Sequence, residues 1–323
     1  MKSGITSLLI CFILIACSPN NSKEGFSKNN IKFPDSLTSF QLFKGNMADL
    51  VPADSVQVLE LSSTLFTDYT EKQRLLKLPT GTSIKGKGDG LPDFPDGAIL
   101  AKTFYYTAEQ TEGKKKIIET RILQKNNGLW NVATYKWNEA QTNAFLVNDG
   151  DKVPVTVTLP DGERKQINYK IPTVYDCYDC HRNNNELTPI GPKLRNLNVD
   201  VFIKGKATPQ LQLLSNKGLL SLKGHEKTAK LPSYKDGSLT IEKRARAYFE
   251  INCAHCHNPN GFAGAYSLDL RYENEFENTG IFFNKWNIEH RMTVRDMPKL
   301  GTTIVDKEGL KLVQDYLKTL NKQ

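Results

Sequence analysis

Two short runs carry the side chains best suited to chemistry: Cys177-Tyr-Asp-Cys180-His181 and Cys253-Ala-His-Cys256-His257. A Cys-x-x-Cys pair followed at once by histidine is the pattern of covalent c-type haem attachment. In that chemistry Cys177, Cys180, Cys253 and Cys256 become thioethers at the porphyrin edge. His181 and His257, fixed beside them, then reach only the iron of the same haem. Paired Cys-x-x-Cys elements also suit tetrahedral zinc, and four thiols can instead close as disulfides. A histidine after the second cysteine of both runs favours two haems over either alternative.

The sixth ligand decides whether a haem iron transfers electrons or binds small molecules. For the second haem the expected ligand is Met297, in Arg295-Asp-Met297-Pro298-Lys-Leu-Gly301 just ahead of the last helical pattern, with Met292 as second choice. Either methionine also suits a role as core filler. No methionine lies between His181 and Cys253, which leaves His225, Met47, a lysine or no ligand for the first iron. His255 and His290 have no strong case. Ile190-Gly-Pro192, nine residues after His181, resembles the loop of class I cytochromes c in which a proline carbonyl accepts the proximal histidine N–H and fixes its tautomer.

These residues need elements to hold them. Ile241, Ala245, Tyr248 and Phe249 recur at helical spacing, predicting a helix that ends at Cys253 with Arg244, Arg246 and Glu250 on its outer face. Asp306 to Leu320 predicts a closing helix with Leu312, Val313, Tyr316, Leu317 and Leu320 inward. Thr208-Pro209 reads as N-cap and first residue of a helix that turns Leu211, Leu214 and Leu213 inward and ends near Gly218. Ahead of Cys177, Pro172 interrupts any long helix.

From residue 31 to 170 the pattern is strand-like. Runs at 98–106, 116–123, 130–137, 153–159 and 166–171 are β-branched or aromatic, with Asn126-Asn-Gly128, Asn148-Asp-Gly150 and Asp161-Gly162 between them. An antiparallel sandwich or open barrel is expected. The whole chain is therefore α+β and multidomain. Residues 1–16 read as a signal segment, 17–30 as a flexible tether, 31–170 as a β-rich domain, 171–235 as a first haem unit and 236–323 as a second.

Met1-Lys2-Ser3 and the apolar stretch from Ile5 to Ile15 predict export. Leu14-Ile15-Ala16-Cys17 resembles a bacterial lipobox, so Cys17 is expected to carry a lipid anchor on the periplasmic side of a membrane, with cleavage to a soluble periplasmic form as the alternative. Cys11 and Cys17 lie in this segment and the other four cysteines are the haem pairs, which leaves none for a structural disulfide. The net charge of +8 is scattered, with only Lys114-Lys115-Lys116 as a run, and gives no reason to expect nucleic acid. Lys85-Gly-Lys-Gly-Asp-Gly90 lacks the ending of a phosphate loop and reads as a surface turn. Trp130, Trp137, Tyr105 and Tyr106 suit a sugar platform but at strand spacing read first as core.

The chain resembles a family of bacterial diheme c-type cytochromes that join a β-rich N-terminal half to two class I cytochrome c-like haem units. The likeness rests on Thr64-Leu-Phe-Thr-Asp-Tyr69, Leu78-Pro-Thr-Gly81, Lys102-Thr-Phe104, Glu119-Thr-Arg121, Tyr135-Lys-Trp137, Ile190-Gly-Pro192, Arg244-Ala-Arg-Ala-Tyr248, Met297-Pro298 and the two haem motifs. The resemblance implies haem binding and electron transfer and supplies no substrate. The leading expectation is an exported electron carrier with two covalent haems, working between periplasmic donor and acceptor proteins. A peroxidase-like enzyme with an open first haem is the alternative. A lipoprotein that binds a glycan or protein through its β-rich half, with accessory haems, is the third reading.

Overall fold

The computed structural model describes residues 31–320. The expected signal segment, Cys17 and the tether lie outside the described residues. The chain is α+β. β1 (Val56–Val58), β2 (Glu71–Lys77), β4 (Ile99–Tyr106), β5 (Lys116–Asn126), β6 (Leu129–Trp137) and β7 (Ala144–Val147) form one six-stranded antiparallel sheet in that order. The order is linear, so the sheet is open at β1 and β7 and not a closed barrel. β5 turns into β6 through Asn127 and Gly128, both at positive φ (49° and 79°), the two-residue turn whose twist matches a hairpin. A separate hairpin, β8 (Asp151–Thr158) with β9 (Arg164–Ile171), packs its valines and isoleucines against Tyr106 and Ile118.

The sheet has two unlike faces. One buries Phe40, Leu42, Leu75, Ile99, Ile122, Tyr135 and Trp137 as the main N-terminal core. The other carries Leu100, Leu123 and Val132 together with Arg74, Lys102 and Arg121, and looks toward the first cysteine motif. β2, Glu71-Lys-Gln-Arg-Leu-Leu-Lys77, was not among the expected strands because its side chains are mostly polar. Pairing with β4 overrides that low propensity. Trp137 and Tyr106 are buried, and Trp137 Nε1 donates to Thr120 Oγ1 at 3.0 Å. These aromatics form core and not a binding platform.

Beyond residue 171 short hairpins interleave with helices. α2 (Val174–Cys180) leads into β10 (Arg182–Asn183) and β11 (Glu186–Leu187), then α3 (Leu194–Leu197), β12 (Asp200–Ile203), β13 (Lys206–Pro209) and α4 (Gln210–Asn216). The segment around the first motif is thus less helical than expected, because Lys204 and Gly205 at positive φ turn the chain back on itself as a hairpin. Thr208 and Pro209 complete β13, so α4 starts at Gln210 without a side-chain cap; Leu211 and Leu214 face inward as expected. β14 (Leu220–Ser221) pairs in parallel with β3 (Ile84–Lys85), and Leu59, Leu76 and Phe94 share one core with Leu194, Leu197 and Leu211. A small helix, α1 (Ala108–Thr111), caps the end of β4.

α5 (Ile241–Asn252), α6 (Ile281–Thr293) and α7 (Lys307–Thr319) form the C-terminal core, where Ala245, Tyr248 and Phe249 meet Leu312, Val313, Tyr316 and Leu317. The expected outer face of α5 is a correction: Arg246 and Glu250 are buried. Arg246 donates to the carbonyls of Arg271 and Asn274, and Glu250 accepts from Lys193 Nζ at 2.5 Å and Tyr272 N at 2.8 Å. Buried charges survive only with such partners. Among the described residues no helix is long and apolar enough to cross a membrane.

α5 and α7 touch at Gly309, where a Cβ would run into Tyr248 and into Asp306, the pair joined by a 3.0 Å hydrogen bond. Gly309→Ala should lower stability by about 1–3 kcal/mol in urea unfolding, the usual cost of overfilling a packed contact. An unchanged midpoint would show that the two helices do not depend on this close approach.

Candidate functional site

α2 begins directly after Pro172, where Thr173 and Asp176 cap each other's backbone N–H at 3.0 Å. That reciprocal cap lets a helix of two turns end at His181 and hold Cys177 against β6, with Sγ 4.0 Å from Thr134 Oγ1. His181 Nδ1 lies 2.8 Å from the Thr188 carbonyl. Nδ1 therefore carries the proton, and Nε2 is left as the donor nitrogen for a metal. The expected acceptor, a proline carbonyl in Ile190-Gly-Pro192, is corrected to the carbonyl just before Pro189. Gly191 serves a different end: at φ 105° it lets the loop close over Leu61. Burial, reinforced by His255, Lys102 and Arg121, pushes the His181 pKa down to about 3, so the ring is neutral and ready to ligate.

Cys177, Cys180 and His181 line one partly open, largely apolar cavity. Its walls come from distant parts of the chain. The sheet gives Leu100, Leu123 and Val132, the loop after the first motif gives Ile190, α5 gives Ile251 and Asn252, and the loop ahead of α7 gives Pro298 and Leu300.

Three buried polar side chains hold those walls together. Asn196 donates to the carbonyls of Ser63 and Gly191 and accepts from Ser63 N. Asn252 accepts from Phe66 N at 2.7 Å and donates to Tyr248 O. Asp68 accepts from Thr303 N and Thr303 Oγ1, each at 2.7 Å, and from Ile304 N at 3.2 Å. Burial raises the Asp68 pKa, against the pull of those donors.

The second motif starts at the C-cap of α5, where Cys253 N donates to Phe249 O and His257 N to Cys253 O, both at 2.9 Å. The two motifs meet. The nearness of the Cys180 and Cys256 thiols raises the pKa of Cys180 and lowers that of Cys256. Asn184 N donates to Asn260 O at 2.7 Å and ties the loops that follow. His255, dismissed on sequence, lines the cavity beside Cys180, and its buried Nδ1 has no hydrogen-bond partner. The signal lay in its place inside the second motif, but nothing in the sequence shows that this motif adjoins the first. His257 Nδ1 is likewise buried without a partner.

Other candidates fall elsewhere. His225 accepts from Gly88 N at 3.2 Å and pins the 85–90 turn to the segment after β14, away from the cavity. Met47 packs on the main sheet core and Met292 in the C-terminal core. His290 is exposed on the last turn of α6. Met297 is half-buried on the loop between α6 and α7, and its neighbours Pro298, Leu300, Gly301 and Thr302 line the cavity of His181.

The residues present fit a covalently attached haem in chemistry: two thiols and a neutral, oriented imidazole line one largely apolar cavity.

Asp68→Ala should free the 303–304 backbone at a cost of about 2–3 kcal/mol, the range for hydrogen bonds to a charged group. Hydrogen exchange at the Thr303 and Ile304 amides is the measurement; unchanged protection would show that Asp68 does not hold the loop. No protein-family model, curated protein or solved structure matches the chain.

Proposed function

We propose that the chain is an exported diheme c-type cytochrome that passes single electrons between periplasmic partner proteins. The observation that carries this reading is that the two motifs adjoin: Asn184 N, three residues past His181, donates to Asn260 O, three residues past His257, at 2.7 Å. This supports a pair of attachment motifs and not two separate sites. Bound haem supplies a reversible one-electron ferric–ferrous couple at each motif.

The chain supplies the rest. Cys177 and Cys180 would hold one group and Cys253 and Cys256 the other, with His181 and His257 as iron ligands. The Thr188 carbonyl holds His181 in one orientation and raises its basicity. Leu100, Leu123, Ile190 and Ile251 give the first site an apolar lining.

Met297 is proposed as the distal ligand of the second haem. A second assignment, to the first haem, is favoured by the place of Pro298 to Thr302 on the wall of the His181 cavity. Met297→Ala should lower the reduction potential of whichever haem it serves, since thioether sulfur favours ferrous iron. Redox titration of the two haems reads out the assignment. Unchanged potentials and spectra would remove Met297 from the ligand set.

Export and anchoring are part of the proposal. Cys17→Ala should move the protein from the membrane fraction to the soluble periplasm, because acyl chains at that residue are the expected tether. Retention in the membrane fraction would show that another element holds it there.

A further inference from the structure

On the sheet face that walls the cavity, Arg74, Lys102 and Arg121 stand directly opposite one another on β2, β4 and β5. The next position in the row is Thr134 on β6, the residue beside Cys177. Like charges placed opposite across strands repel. Among the described residues that line the cavity there is no Asp or Glu. The nearby Glu119 is already taken: it accepts from Arg121 Nε at 3.0 Å and Nη2 at 2.5 Å, and from the Tyr169 hydroxyl at 2.5 Å.

Arg74 and Lys102 have no such partner. Arg74 Nη1 donates only to the Lys72 carbonyl at 3.4 Å, and Lys102 Nζ lies 4.9 Å from the Phe104 ring centre. Glu60 and Glu71 act on Arg74 only from a distance. Burial, reinforced by Arg74, Lys72 and Arg121, pushes the Lys102 pKa well below the usual lysine range. A basic pair facing an apolar cavity without a counter-ion is the arrangement that a bound anion would stabilise in its charged form.

We propose that Arg74 and Lys102 form a carboxylate cradle that receives the two propionates of the haem attached at Cys177 and Cys180. The inference rests on the haem reading above and adds the residues that orient the group and balance its charge. A porphyrin held by thioethers at one edge carries its propionates at the opposite edge. The row from Thr134 to Arg74 crosses three inter-strand steps, about 14 Å, which is the reach required. Arg74 is suited to bind its carboxylate through two parallel N–H donors.

The test is a redox titration of the holoprotein and of Arg74→Gln/Lys102→Met, with covalent haem counted in each and ferric EPR recorded. With two haems retained, the first haem's potential should fall in the variant, because unpaired propionates disfavour the added electron, while the second haem keeps its potential. Lys102→Arg alone should keep both potentials. If the double variant does not fold, Lys102→Met alone should show the same fall in smaller measure.

Two haems per chain with an unchanged first potential would overturn the cradle and leave the haem reading intact. A switch of the first haem from low to high spin in Lys102→Met would make Lys102 an iron ligand and also overturn it. So would a native first-haem spectrum that shifts on adding sulfate, with the shift lost in the double variant, since the cations would then be free for a soluble anion. A native chain without covalent haem would overturn both readings.

Discussion

Asp68, Asn196 and Asn252 are each at most 3% exposed, and a polar side chain so placed is stable only with its hydrogen bonds made. Each spends those bonds on backbone from another part of the chain. Together they bind the 63–68 segment to the loop after the first cysteine motif, to the last turn of α5 and to the loop before α7. These three clamps hold the walls of the cavity in place, together with the Lys193–Glu250 ion pair.

The same clamps decide how the two cysteine motifs meet. Asn252 precedes Cys253 directly, so the bond to Phe66 N fixes where the second motif begins. Lys193, two residues past Gly191, pairs with the buried Glu250 of α5 and fixes the loop of the first motif to the same helix. The approach of the two motifs, tied at Asn184 N and Asn260 O, follows from both. A sheet face is thereby turned from a simple scaffold into the wall of a site, and its polar row gains a role that strand pairing alone would not require.

Much of this was legible in the sequence where local pattern decides the outcome. α7 and the inner face of α5 follow from their 3.6-residue periodicity, β4 from its β-branched and aromatic run, and β5 and β6 from such runs on either side of Asn127-Gly128. Burial of Arg246 and Glu250 was not legible, because their partners, the 271 and 274 carbonyls and Lys193, lie far away in sequence. β2 was hidden for a related reason. Its Arg74 looks like a solvated charge until the register sets it opposite Lys102. The Thr188 acceptor was missed because spacing gives the neighbourhood of a carbonyl but not which of several adjacent carbonyls turns inward. His255 shows the same limit, since its partner surface belongs to a motif some seventy residues upstream.

The central claim is that both cysteine motifs hold haem by covalent bonds. The most direct measurement is the intact mass of the denatured protein, purified from cells that carry haem-attachment machinery, alongside a pyridine haemochrome spectrum. The account predicts a mass increased by two haems per chain, reduced to one when Cys177 and Cys180 are replaced by serine. A chain at its bare polypeptide mass, or one with Cys180 and Cys256 joined as a disulfide, would contradict it.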